Sequence, residues 1–196
     1  MKIREALELF DAGPIMRRYF VINFFDGAVT TLGVLISAFL VGLSSPLEVA
    51  VPVLGVGISM FTSGFLGTFF TELAEREREI EEMKSYLLEE LDESYYAKAL
   101  RIVSIIVGVI DGLSPLLASV IGLLPMIIGH YLGRSFRTAF FISIIFVFGE
   151  MFVLGMKLGE ISGKNPVIYG LEMLIIGLVT GLLIIAMGEL LGVQAI

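Results

Sequence analysis

The sequence contains no cysteine and only one histidine, His130. The absence of cysteine excludes disulfide bonds, thiolate zinc sites and thiol catalysis. His130 lies beside Tyr131 at the end of an apolar run, which is more typical of a residue at a membrane interface than of a metal ligand. Because the chain also has no Ser-His-Asp set, P-loop or histidine-rich metal motif, we expect that it is not an enzyme.

Charged residues are also scarce: they make up 17% of the 196 residues, whereas 57% are hydrophobic. The mean hydropathy is +0.94. Several apolar runs are long enough to cross, as helices, the roughly 30 Å hydrocarbon core of a lipid bilayer. The net charge of −7 argues against nucleic acid as a partner, since nucleic acid binds basic surfaces. We therefore predict an all-α polytopic membrane protein in which residues 1–196 form one membrane domain.

The apolar runs predict five transmembrane helices. Ser44-Ser45-Pro46 forms a turn between the first two, and the segment 162–166 forms a turn before the last. Pro115 and Pro125 predict kinks or breaks within the third. The predicted spans cover about residues 19–42, 47–71, 102–129, 138–156 and 167–191.

The segment before the first span has the pattern of a short amphipathic helix over residues 2–18, which we expect Gly13-Pro14 to end. It contains acidic residues and no small-residue cleavage site after a short apolar core. We therefore do not expect a cleaved signal peptide.

Lysine and arginine are retained preferentially on the cytoplasmic side of a membrane. With a cytoplasmic amino terminus, eleven of the thirteen basic residues fall on that side, and only Arg134 and Arg137 fall outside. The sequence thus predicts a cytoplasmic amino terminus and an external carboxyl terminus. Short loops and the absence of a targeting signal favour a prokaryotic cell membrane.

The most acidic run lies between the second and third spans, where ten of the twenty-two residues from Glu72 to Glu93 are carboxylates. Glutamates paired at i,i+4, such as Glu75 with Glu79, weaken a helix unless a cation relieves their repulsion. We predict that residues 72–98 form a cytoplasmic, helical, metal-binding extension, with a merely solvated acidic face as the alternative. At helical spacing one stripe contains Glu72, Glu75, Glu79, Glu82, Glu89 and Glu93.

Ionisable residues within spans are costly unless they face a cavity, a partner or an ion, so Asp26, Asp111 and Glu150 are functional candidates. The alternative for the two aspartates is a protonated side chain bonded to a neighbouring helix. For Glu150 we favour a structural role or simple exposure at the edge of the span.

Two further residues could supply ligands beside these acids. Thr30 follows Asp26 by one helical turn and adds an oxygen on the same face. Met60 offers a soft thioether, which together with carboxylates suits a borderline transition metal. Ordinary packing is the alternative for Met60.

In their order and spacing, these features resemble the vacuolar iron transporter family over nearly the whole chain. The resemblance is carried by Asp26-Gly27 with Thr30, Ser59-Met60 with Gly64, the glutamate-rich run from Glu72, Gly122-Leu123-Leu124-Pro125, and Gly155-Met156-Lys157.

The resemblance implies a five-span homodimer that moves Fe²⁺, and often Mn²⁺, out of the cytosol in exchange for protons. It implies a metal pathway lined by Asp26 and Met60, and no cofactor other than the metal that is carried or bound. It also implies a cytoplasmic cluster that collects metal through Glu72, Glu75, Glu79, Glu82 and Met83.

The chain departs from this family at two positions. Phe65 stands where the family usually has a glutamate or another polar residue, and Pro52 stands where it has an acid. Asp111 is not a usual family feature, so we hypothesise that it replaces a missing acid of the pathway. Two other functions stay open: a membrane-anchored, metal-responsive interaction protein whose acidic helix recruits a partner, and a transporter of another cation.

Overall fold

The computed structural model describes residues 3–86 and 93–193, and all regular secondary structure in these ranges is helical. The helices are α1 (Ile3–Leu9), α2 (Ala12–Leu40), α3 (Pro46–Tyr86), α4 (Glu93–Tyr131), α5 (Phe136–Ile161) and α6 (Pro166–Leu190). Five of them, α2 to α6, are long and apolar enough to cross a membrane. The predicted all-α fold with five long apolar helices is confirmed.

The exposed surface of α6 is consistent with a lipid environment. Apolar side chains such as Leu182 and Leu183 are each 65% exposed on this helix. Water would disfavour such a surface, whereas the bilayer core solvates it. The chain is therefore an integral membrane protein.

The chain divides into two compact units. Unit 1 contains residues 1–23 and 60–114, and unit 2 contains residues 24–59 and 115–196. Helices α2, α3 and α4 contribute a segment to each unit, and each unit has its own buried apolar core. The core of unit 1 contains Ala6, Ala12, Ala99, Val103 and Val107. The core of unit 2 includes Leu32, Leu35, Val53, Met126, Phe140 and Met151.

Capping residues set the start of the last two helices. The Ser135 hydroxyl accepts a hydrogen bond from the Thr138 N–H at 3.2 Å at the start of α5. The Asn165 side chain accepts one from the Val167 N–H at 2.9 Å before α6. These bonds satisfy helix-terminal donors that have no intrahelical partner. The predicted turn before the last span is confirmed.

Two proline-based expectations turn out differently. The first helix ends at Leu9, and Gly13-Pro14 lies in the first turn of α2. The expectation that this pair ends the first helix was wrong, because proline is tolerated in a first turn, where no intrahelical acceptor exists for its missing N–H. Pro115 and Pro125 lie inside α4, which continues without a break, so the expectation of a break was wrong and that of a kink stays a prediction.

Glycines allow the helices of unit 1 to approach closely. A Cβ atom added at Gly112 of α4 would lie 2.5 Å from the Phe61 carbonyl oxygen of α3, and one at Gly108 would lie 2.9 Å from that of Phe65. The residue numbers run in opposite directions, so these segments pack antiparallel. Small residues at i,i+4 commonly form such contacts between membrane helices.

Candidate functional site

Asp111 lies on α4 in unit 1 and is 5% exposed. Its carboxylate accepts a hydrogen bond from the Thr68 hydroxyl of α3 at 2.8 Å and another from the Asn23 side-chain amide of α2. A Cβ atom at Gly64 would lie 2.9 Å from Oδ2 of Asp111, so the missing side chain lets α3 approach the carboxylate. Asp111 therefore links segments of three helices through polar contacts.

The donor chemistry around Asp111 suits a cation as well as a structural link. Thr68 and Asn23 are neutral, and their side-chain oxygens can themselves coordinate a metal ion. A carboxylate with hydroxyl and amide oxygens forms a hard ligand set. Asp111, Thr68 and Asn23 are thus candidate ligands for a cation.

Glu72 is the first glutamate of the predicted acidic stripe, and it is buried. The Arg76 Nε–H donates to its Oε2 at 3.1 Å, and Nη2 of the same guanidinium lies 3.0 Å from Oε2 as an ion pair. The Tyr19 hydroxyl donates to Oε1 at 3.3 Å, and the guanidinium carbon lies 5.0 Å from the centre of the Phe10 ring. In this conformation Glu72 is a partner of Arg76, and metal binding through it requires that ion pair to open.

The next glutamates of the stripe lie on the exposed surface of α3. Glu75, Glu79 and Glu82 are all exposed, and α3 continues beyond the predicted end of the second span through Tyr86. Arg78 lies 3.8 Å from Glu75 and 3.5 Å from Glu82. This arginine therefore relieves part of the repulsion that the sequence pattern predicts.

The remainder of the predicted collecting region lies outside the described residues. This applies to the side chain of Met83 and to residues 87–92, which include Glu89. Within 3–86 and 93–193, no three histidine, aspartate or glutamate side chains are grouped closely enough to hold a metal ion. The carboxylates of α3 are thus a surface in the described conformation, and their role as a cluster stays a prediction.

The predicted pathway residues are divided between the two units. Asp26 is exposed and Thr30 is half-buried, and both lie on the α2 segment of unit 2. Met60 is half-buried at the start of the α3 segment of unit 1. Asp111 belongs to the same unit as Met60, together with the glutamates of α3.

The sequence did not reveal the polar partners of Asp111. Asn23 and Thr68 are polar residues in apolar runs, which is a visible signal, but their convergence on Asp111 depends on how the helices are rotated. In unit 2 the buried Thr31 hydroxyl donates to Ser119 at 3.1 Å and joins α2 to α4. The two threonine contacts join residues that are 43 and 88 positions apart in the sequence.

Comparison with known proteins gives one curated relative. A protein of Methanocaldococcus jannaschii, MJ0645, is 34% identical over 160 residues, which is 80% of each chain, and it is described as uncharacterised. No protein-family model and no solved structure match the chain. At this identity and coverage, the chain belongs to the same protein family as MJ0645 of M. jannaschii.

Proposed function

We propose that the protein is a transporter that moves divalent transition metal out of the cytosol, with Fe²⁺ as the main cargo and Mn²⁺ as a second candidate. The observation that carries the proposal is the buried carboxylate of Asp111 within an apolar helix, with oxygen-bearing side chains of two other helices around it. An acid in a membrane-spanning helix is costly, and function is its usual reason. The resemblance described above supplies iron as the cargo.

The finer assignments follow the same proposal. The acidic part of α3 is cytoplasmic and collects metal through Glu75, Glu79 and Glu82, with Met83 adding a soft ligand. Glu72 becomes a further metal ligand when its ion pair with Arg76 opens. Asp26, Thr30 and Met60 line the pathway together with Asp111. The protein acts as a homodimer.

Exchange with protons has a physical basis in the carboxylates. A carboxyl group must lose its proton before it binds a metal ion, so metal binding and proton release are linked. If the two faces of the membrane supply metal and protons in alternation, carboxylates of the protein exchange one for the other. Export of metal is then coupled to proton entry.

The experiment that tests the proposal is Fe²⁺ uptake by vesicles containing the purified full-length protein. We expect Asp111→Asn, which keeps the size and one acceptor oxygen of the side chain, to abolish uptake. Glu172→Gln is the matched control, because Glu172 is an exposed acid on α6. Circular dichroism and gel filtration check that both variants fold. Uptake by Asp111→Asn at the wild-type rate would exclude Asp111 from the pathway.

The exposed acidic surface of α3 favours one alternative, a metal-responsive interaction protein anchored by its spans. Metal titration of the full-length protein together with the flux assay distinguishes the two functions. Metal binding without flux would support the interaction protein and overturn the transporter. Parallel assays with Mn²⁺, Zn²⁺ and Ca²⁺ decide whether the cargo is a different cation.

A further inference from the structure

Helix α5 carries a carboxyl group to which the proposed function gives no role. Glu150 lies near the centre of α5, and both of its carboxyl oxygens are buried without a hydrogen-bond partner among residues 3–86 and 93–193. None of the ion pairs formed within those ranges includes it. An ionised carboxylate is strongly disfavoured in such a position, because nothing replaces the water that it loses.

Gly122 of α4 packs closely beside this carboxyl group. A Cβ atom at Gly122 would lie 3.6 Å from Oε1 of Glu150, 3.2 Å from Cγ2 of Thr31 and 2.6 Å from Cγ2 of Val147. The Thr31 hydroxyl is already used as a donor to Ser119. The carboxyl group therefore faces small and neutral groups from α2 and α4.

Within the part of the chain that the structure describes, no titratable side chain forms a hydrogen bond with Glu150. Helix α2 contributes Thr31 and α4 contributes Gly122, while α6 places Gly177 against Met151, the residue after Glu150. The other acids in the membrane-spanning helices of unit 2 are exposed: Asp26, Glu48, Glu160, Glu172 and Glu189. Among the described acids of these helices, Glu150 is thus the one whose carboxyl oxygens are both buried without a partner.

Charge balance selects the ligand for such a group. A divalent metal ion bound by Glu150 would keep a net positive charge in apolar surroundings, which is again costly. Unlike Asp111, Glu150 has no hydrogen-bonded hydroxyl or amide among the described residues that would supply further ligands. A proton leaves the site neutral. The chemistry of one acid, uncharged neighbours and buried oxygens therefore fits a proton and does not fit a divalent cation.

We propose that Glu150 is a proton-binding site, with its carboxyl group protonated in the described conformation. This role rests on the transport function proposed above. The O–H bond breaks when the packing at Gly122 opens and admits water, and that water takes the proton. The carboxylate later takes a proton back from water on the other side of the membrane. Glu150 thus supplies the proton side of the exchange, separately from the metal ligands in unit 1.

Infrared spectroscopy of the full-length protein in lipid membranes tests the proton site without any transport assay. At neutral pH we expect the carbonyl-stretching band of a protonated carboxylic acid. Glu150→Gln should reduce the intensity of this band by the contribution of one carboxylic acid per protein. Glu172→Gln should leave this band unchanged, and Glu150→Asp should keep it at a shifted frequency. An identical band in wild type and Glu150→Gln would overturn the proposal.

A flux assay tests the coupling role. We expect Glu150→Gln to keep Fe²⁺ flux down a metal gradient but to lose the stimulation that an imposed proton gradient gives the wild type. Stimulation that persists in Glu150→Gln would overturn the coupling role. If the wild type carries no metal at all, the transport function fails, while the infrared result still decides whether Glu150 binds a proton.

Discussion

Single residues in unit 1 divide into acids that are held by neutral donors and acids that are held by a cation. Asp111 is bonded by Thr68 and Asn23, whereas Glu72 is bonded by Arg76. The second arrangement already contains a positive charge. Under the proposed function, the cation-binding role therefore belongs to Asp111, and Glu72 has a supporting one.

The hydrogen bond from Thr68 to Asp111 is testable through stability. Thr68→Val removes the hydroxyl while keeping the shape, and we expect it to lower the free energy of unfolding by about 1 kcal/mol, the size of such bonds between membrane helices. Thr68→Ser keeps the donor and should be closer to wild type. Thermal unfolding in detergent, followed by circular dichroism, measures both. Equal unfolding temperatures for Thr68→Val and Thr68→Ser would mean that this hydrogen bond does not stabilise the protein.

The buried ion pair of Arg76 with Glu72 should contribute more to the free energy of unfolding than the exposed ion pair of Arg78 with Glu75. Arg76 is 5% exposed and Glu72 is 11% exposed in their side chains, whereas Arg78 is 67% exposed. We expect Arg76→Gln to destabilise the protein by about 3–5 kcal/mol, because it leaves a buried carboxylate unpaired. Arg78→Gln should cost no more than about 1 kcal/mol. Comparable losses, measured in the same unfolding assay, would contradict the burial argument.

At the scale of helices, the packing of α3 on α4 depends on backbone contact. Gly112→Ala would place a Cβ atom 2.5 Å from the Phe61 carbonyl oxygen, so the helices must separate. We expect a loss of about 1–3 kcal/mol, typical of overpacking. At Gly67 of α3 an added Cβ meets nothing within 4 Å. Gly67→Ala should therefore be neutral or stabilising, by up to about 1 kcal/mol.

This comparison uses thermal unfolding in detergent. Because Gly112 adjoins Asp111, Gly112→Ala should also reduce Fe²⁺ uptake in vesicles, whereas Gly67→Ala should not. Wild-type stability of Gly112→Ala would mean that the α3–α4 contact is looser than described.

The long helices were predictable from the sequence because bilayer thickness fixes the length of an apolar run. The ends of the helices were harder to predict. Gly13-Pro14 is compatible both with the end of a helix and with the first turn of one, and the packing of Ala12 in the core of unit 1 favours the first turn. Asp26, Asp111 and Glu150 were visible as acids in apolar runs. The partners of Asp111 and the isolation of Glu150 were not, since both depend on which helix faces meet.

At the scale of the whole molecule, the orientation in the membrane can be tested because the chain has no native cysteine. Ser44 and Ser162 are exposed in different loops. We expect Ser44→Cys to react with a membrane-impermeant maleimide in intact cells, and Ser162→Cys to react only after permeabilisation. The reverse pattern would place the acidic part of α3 outside and contradict a role in collecting cytosolic metal.

The proposed exchange of metal for protons is tested most directly by measuring Fe²⁺ entry into vesicles that contain the protein and have an acidic interior. We expect entry that depends on the protein, exceeds entry into vesicles without a proton gradient, and stops in Asp111→Asn. Entry that equals that of protein-free vesicles, with and without the proton gradient, would contradict metal–proton exchange.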